Sequence, residues 1–223
     1  MQACICKFLD CSFFFMLQFT VEKMANKRSY SMQDFLKDYA TQITGCLNSL
    51  QFDKLEDLVD LLWRKITDKK KIVVFGNGGS ASTASHFVCD LAKGVFTGGG
   101  PRIKALSLNN CIPLMTAWAN DESYDSIFVE PLANYLEEGD LVIGISASGN
   151  SPNVLRAIEY ANSHGAVTVG LVGKGGGKLA ELAQLSIVVK SDSYEEVEDI
   201  HMIIIHMLKV AIIKRLGAEN TSP

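Results

Sequence analysis

The 223-residue chain sets 21 Lys+Arg against 25 Asp+Glu, a formal net charge of -4, and 48% of its residues are hydrophobic. That apolar content supports a full core and excludes general disorder, and the absence of any basic face argues against direct nucleic-acid binding. Its six cysteines have neither the density nor the spacing of a disulfide framework and include no CxxC, so reduced thiols in a cytoplasmic protein are expected.

The chain opens on "ACICKFLDCSFFFMLQFTV", which is apolar but broken by Lys7 and Asp10. It falls short of a clean spanning run of ~18 residues, and it lacks the basic start and small-residue cleavage site of a signal peptide. Met24 then begins an ordinary protein start. Residues 1–31 therefore read as an N-terminal extension, disordered or outside the working protein, with a membrane anchor as the alternative. One domain over residues 32–217 and a tail over 218–223 complete the division, and no membrane partner is expected.

Two stretches, residues 32–50 and 54–66, repeat apolar residues at helical spacing. From Lys71 the pattern becomes strand, glycine-rich turn, helix, repeated. The predicted strands are residues 71–76, 103–108, 140–146, 166–172 and 186–190. They are short, continuously apolar and β-branched, as strands covered on both faces are. Alternation with helices predicts a parallel sheet in an α/β sandwich. Ser151-Pro152 marks one helix start, and Ser193 with Glu196 forms the S-x-x-E box that opens the last helix. Between Ile200 and Ile213 that helix is apolar nearly all round, so it must run through the core or pack a second subunit on one side.

Two turns at the carboxyl ends of predicted strands stand out, "GNGGSAS" and "SASGNSPN". Each combines glycine, hydroxyls and the amides of a helix N-terminus, the chemistry of an anion site. No G-x-x-x-x-G-K-[ST] occurs, which excludes a P-loop. Gly76-x-Gly78-x-x-Ala81 fits the relaxed dinucleotide fingerprint, but Asn109 and Asn110 stand where a ribose-binding acid is required. A phosphorylated small molecule fits better, and no nucleotide cofactor is expected.

His86 and Asp90 are four apart and share a helix face. On the last helix Glu198, Asp199, His201 and His206 cluster, with "III" and "ML" predicting a buried setting for His206. Histidines and carboxylates so placed suit either a divalent metal or proton transfer.

In order along the chain, "GNGGSAS", "HFVCDLAKG", "WANDESYDSIF", "GISASGNSPNV" with "LVGKGGGKLA", and "EDIHMIIIHML" resemble the sugar-isomerase (SIS) domain proteins, most closely the phosphoheptose isomerases. The resemblance runs from about Met32 to Leu216. It implies a three-layer α/β sandwich with a five-stranded parallel sheet of flavodoxin-like type and added N-terminal helices. It also implies interconversion of sedoheptulose 7-phosphate and D-glycero-D-manno-heptose 7-phosphate, or a close variant, through an enediol. Further implications are zinc and a homotetramer with active sites between subunits. Position by position, Asn77, Gly78, Gly79, Ser80, Asn120 and Asp121 look like substrate contacts. Ser146, Ala147, Ser148 and Ser151 match the phosphate turn. His86, Asp90, Glu198 and His206 match the metal and catalytic set, with Asp90 and His206 the acid/base pair and Asp90 and Glu198 also facing substrate. Asp90 stands for the family's glutamate, shorter by roughly 1.5 Å, and Glu198 stands for its glutamine. Those two departures leave a non-catalytic relative as the alternative: a phosphosugar-binding or replication-initiator-binding adaptor.

Overall fold

The computed structural model describes residues 31–96 and 101–219. The extension expected over residues 1–31 lies outside them except for Ser31, and the expected tail except for Ala218 and Glu219. The chain divides into two compact units between Thr41 and Gln42. In the first unit, helix α1 (Met32–Asn48) begins with a reciprocal cap. The Asp34 amide donates to Ser31 Oγ at 3.1 Å, and the Ser31 amide donates to Asp34 Oδ2 at 3.2 Å. Two otherwise unpaired helix-end donors are satisfied this way.

The second unit carries the rest of α1 and then α2 (Phe52–Thr67), β1 (Ile72–Gly76), α3 (Gly79–Cys89), β2 (Ala105–Ser107), α4 (Ile112–Asp121) and α5 (Val129–Tyr135). These are followed by β3 (Leu141–Ser146), α6 (Pro152–Ser163), β4 (Val167–Val172), α7 (Gly177–Leu182), β5 (Leu185–Val188) and α8 (Tyr194–Glu219). All strand pairs are parallel, in the order β2-β1-β3-β4-β5. Each predicted strand is present, the first four trimmed by one to three residues in all and the fifth shifted to begin one residue earlier and end two earlier.

Side chains alternate across the strands and divide the core into two layers. Ile72, Val74, Leu141, Ile143 and Ile145 face one cluster with Leu58 and Leu62 of α2, Phe87 of α3 and Ile200, Ile204 and Ile205 of α8. Val73, Phe75 and Val142 face the other, with Phe128, Leu132 of α5, Val154 and Ile158 of α6 and Leu179 of α7. Helices on both faces explain why the strands are apolar without interruption.

The strand order reverses direction between β1 and β3. In open parallel sheets the crevice beyond the strand ends at such a reversal is where ligands bind. The turns that follow β1 and β3 are the two serine-bearing turns, so the topology sets them side by side at one rim. At the opposite end, buried Asp140 accepts from the amides of Lys71 and Glu137 at 2.9 Å each, and the Lys71 ammonium stands 3.2 Å from it. Burial alone would lower the Lys71 pKa, but its hydrogen bonds to Glu137 and Asp140 outweigh it and hold the value raised.

Candidate functional site

Beyond β1 the chain turns through Gly78, at φ +55°, before α3 begins at Gly79. Asn77 is locked by a reciprocal amide pair with buried Asn153, 2.9 Å in each direction, and accepts from Tyr124 Oη at 3.1 Å. Asn109 braces the strand end: its Nδ2 donates to the Gly76 carbonyl at 2.8 Å, and its Oδ1 accepts from the Gly76 amide at 3.2 Å. This is the physical role of the residue that stands where a ribose-binding acid is absent.

Beyond β3, the Ser146 hydroxyl lies 3.1 Å from that of Ser151 and 3.4 Å from that of Ser148. Ser151 precedes α6 but makes no side-chain cap; its hydroxyl turns to the other serines instead. The amides of Gly149 and Asn150 are held on Ser146 Oγ and Ser148 Oγ at 3.1 and 3.2 Å. Hydroxyls and amides thus converge without a cation among them, as in an anion nest that borrows its own serines until a ligand arrives. A cleft of about 170 Å³ opens between the turns, lined by Asn77, Ser80, Ser146, Ala147, Ser148 and Ser151, together with Tyr194 and Glu198.

Farther along α3 a second cluster assembles. His86 Nε2 and His206 Nε2 are 3.0 Å apart, and Asp90 Oδ2 lies 3.6 and 3.8 Å from them. At 3.0 Å one ring must carry the Nε2 hydrogen while the other offers its lone pair. Asp90 Oδ2 is buried without a hydrogen-bond partner, an arrangement that costs free energy unless something fills the gap. Donor atoms around a tetrahedral ion with bonds of ~2.0–2.1 Å stand about 3.3 Å apart, close to the three separations here. The donor set therefore fits a divalent cation with one position left open.

Helices α3 and α8 run side by side in the same direction. Gly79 meets the Glu198 carboxylate, while His86, seven residues on, meets His206, eight residues on. Glu198 is thereby kept out of the His86–Asp90–His206 group. Eight residues are about 12 Å of helix rise, so Glu198 lines the serine cleft and His206 the imidazole cluster. Asn120 and Asp121, at the end of α4, are exposed and paired with each other at 2.8 Å, apart from both groups.

His206 is not buried: its side chain is 48% exposed. The apolar neighbours in sequence point to other faces of α8, and His201 takes the buried position, with neither ring nitrogen well paired. Burial pushes the His201 pKa down to about 4, against a smaller upward pull from the Val172 backbone.

Sequence reasoning passed over Asn153, Tyr124, Tyr194 and Lys209, and used Asn109 only as the mark of a missing acid. Asn153 and Lys209 carried a spacing signal, lying two residues after Ser151 and three after His206. The others come together only through the sheet topology.

The SIS domain family model matches residues 37–173. The phosphoheptose isomerase of Helicobacter pylori (strain P12) is 37% identical over 174 residues, covering 78% of this chain and 90% of that protein. That of Sulfurimonas denitrificans is 34% identical over 195 residues, covering 87% of this chain and 100% of its own. Among solved structures, a phosphoheptose isomerase from Francisella tularensis is similar with TM-score 0.76 at 25% identity, over 82% of this chain and 96% of that one. A phosphoheptose isomerase from Neisseria gonorrhoeae has the same TM-score at 24% identity, over 82% and 98% respectively, a likeness of fold.

Proposed function

The chain belongs to the SIS domain family, and from that premise we propose that it is an aldose–ketose isomerase of phosphorylated sugars, interconverting sedoheptulose 7-phosphate and D-glycero-D-manno-heptose 7-phosphate. The observation that carries the reading is the pairing of a cation-free anion cleft with an imidazole–carboxylate cluster along one helix. Ser80 and His86 are separated by about 9 Å of rise on α3, a span that a sugar chain held by its phosphate can bridge.

The residues divide the work. Ser146, Ser148 and Ser151, with the amides they now hold, exchange their mutual hydrogen bonds for the phosphate oxygens. Asn77, fixed by Asn153 and Tyr124, presents its amide to the sugar without rotational freedom. Glu198, where the family resemblance implies glutamine, offers its carboxylate oxygens to sugar hydroxyls from the wall of the cleft. Asp90 removes the proton alpha to the carbonyl, through the oxygen that faces the imidazoles. His206, half-exposed and in contact with His86, can pass a proton to or from the sugar oxygens while its Nε2 holds no ion. A zinc ion held by His86, Asp90 and His206 would supply Lewis-acid stabilisation of the negative charge that develops on those oxygens.

The reading places the working protein in the cytoplasm, as a homotetramer with this site near a subunit boundary. Its support is the apolar surface that α8 leaves exposed at Met207 and Val210, beside His206. Relatives named as isomerases over most of this chain weigh against a non-catalytic adaptor. The test is conversion itself: purified protein given sedoheptulose 7-phosphate should yield the aldose by NMR. Asp90→Asn should lose that conversion by at least a hundredfold while still binding the ketose in calorimetry. An Asp90→Asn protein as active as the parent would remove Asp90 from the mechanism.

A further inference from the structure

Among the described residues, a lysine reaches the imidazole–carboxylate cluster. Lys209 stands three residues after His206 on α8, and its Nζ donates to Asp90 Oδ1 at 3.0 Å. Its alkyl chain passes over Gly94, where a Cβ would lie 2.8 Å from Lys209 Cε and 3.2 Å from Nζ. A side chain at Gly94 would oblige the end of the lysine to shift from that path. Asp90 itself begins a single π-helical turn, Asp90–Gly94, closed by the Val95 amide on the Asp90 carbonyl at 2.9 Å. Such turns insert a residue into a helix and redirect the side chains around it. The turn, the glycine and the lysine act on the same carboxylate.

The two Asp90 oxygens consequently differ. Oδ1 is capped by an ammonium; Oδ2 is buried, unpaired and aimed between two imidazoles. A carboxylate free to rotate about its last bond could offer both oxygens to a cation, or turn away from the sugar. One oxygen tethered to Lys209 permits neither.

We infer that Lys209 is a positioning residue, holding Asp90 by one oxygen so that a single oxygen serves the cation and the reacting proton. The inference rests on reading this cluster as the isomerase centre. The lysine does not line the serine cleft, so its effect is on the chemical step and not on substrate capture.

Cobalt(II) in place of zinc reports the arrangement through its visible absorption, which is intense for a four-coordinate ion and weak at higher coordination. Chelator-stripped, full-length protein titrated with cobalt should show the intense bands. Lys209→Met should weaken them as Asp90 swings to two-oxygen contact, and Lys209→Arg, which keeps a donor on Oδ1, should restore them. In steady-state kinetics Lys209→Met should lower kcat at least tenfold and leave KM within about twofold, since misplacement of a reacting group by ~1 Å can cost a hundredfold in rate. Lys209→Gln, milder in volume and polarity, replaces the methionine variant if that one fails to fold. A cobalt spectrum unchanged by loss of the lysine overturns the inference, as does a parent protein that binds no cobalt. So does a variant whose kcat, KM and melting temperature decline together. Because the spectrum needs no turnover, it decides the role of Lys209 even if sedoheptulose 7-phosphate proves not to be the substrate.

Discussion

His201 and His206 lie five residues apart on one helix and meet opposite fates. His206 opens to solvent beside His86, while His201 is sealed in the core with its pKa lowered to about 4 by burial. The unfolded chain titrates this group near 6.5, so between about pH 6.5 and 4 the unfolded state binds more protons. Stability must therefore rise with pH across that window and fall as it is acidified. At pH 4.5 the group should have lost about 2 kcal/mol relative to pH 7. Replacing His201 with leucine should flatten that limb, which urea titrations at the two pH values would detect. Buried Asp140 predicts a different loss: Asp140→Ala leaves two backbone amides without their acceptor and the Lys71 ammonium with Glu137 alone, and should cost about 3 kcal/mol. A thermal or urea unfolding curve matching the parent would show that the pair at the closed end of the sheet does not matter.

Among the elements, the turn after β3 is the one most tightly constrained by its backbone. Gly149 sits at φ +64°, and a Cβ there would collide with the Gly176 carbonyl oxygen, part of the turn after β4. Gly149→Ala should therefore weaken sugar-phosphate binding and destabilise the fold by about 1–3 kcal/mol; calorimetry and melting on one sample would test both. The serine turns were legible in the sequence because glycine, serine and a following helix start are local signals. So were the strands, whose unbroken β-branched runs reflect burial on both faces. Glu198 was harder to place. It lies about 80° around α8 from His206, and helical periodicity says nothing of the roughly 12 Å rise that also divides them. The π-turn at Asp90 left no mark in the residue pattern, since "DLAKG" continues an ordinary helix in composition. The burial of His206 was misjudged because an all-round apolar helix does not disclose which face meets the sheet.

At the scale of the molecule, the reversal of strand order between β1 and β3 does most to create the site, by setting two distant turns at one rim. The fold class followed from alternation of strands and helices, but the order of the strands did not, since local patterns carry no record of which strands pair. On α8, Val210 is 62% exposed and Met207 39% exposed, the strip that a second copy of the chain covers in the proposed homotetramer. A charge placed there should be tolerated by the monomer and not by the assembly. Val210→Glu should shift the mass measured by light scattering from tetramer toward smaller species and reduce activity with it; an unaltered tetramer would place the interface elsewhere. The whole account turns on whether Asp90 and the imidazoles exchange a proton with a sugar held by the serine turns. Sedoheptulose 7-phosphate incubated with the protein and zinc in heavy water, followed by NMR, is the most direct measure. Deuterium should enter at the carbon next to the carbonyl at a rate that Asp90→Asn abolishes, whereas a sugar phosphate that binds and keeps all its carbon-bound hydrogen would contradict the account.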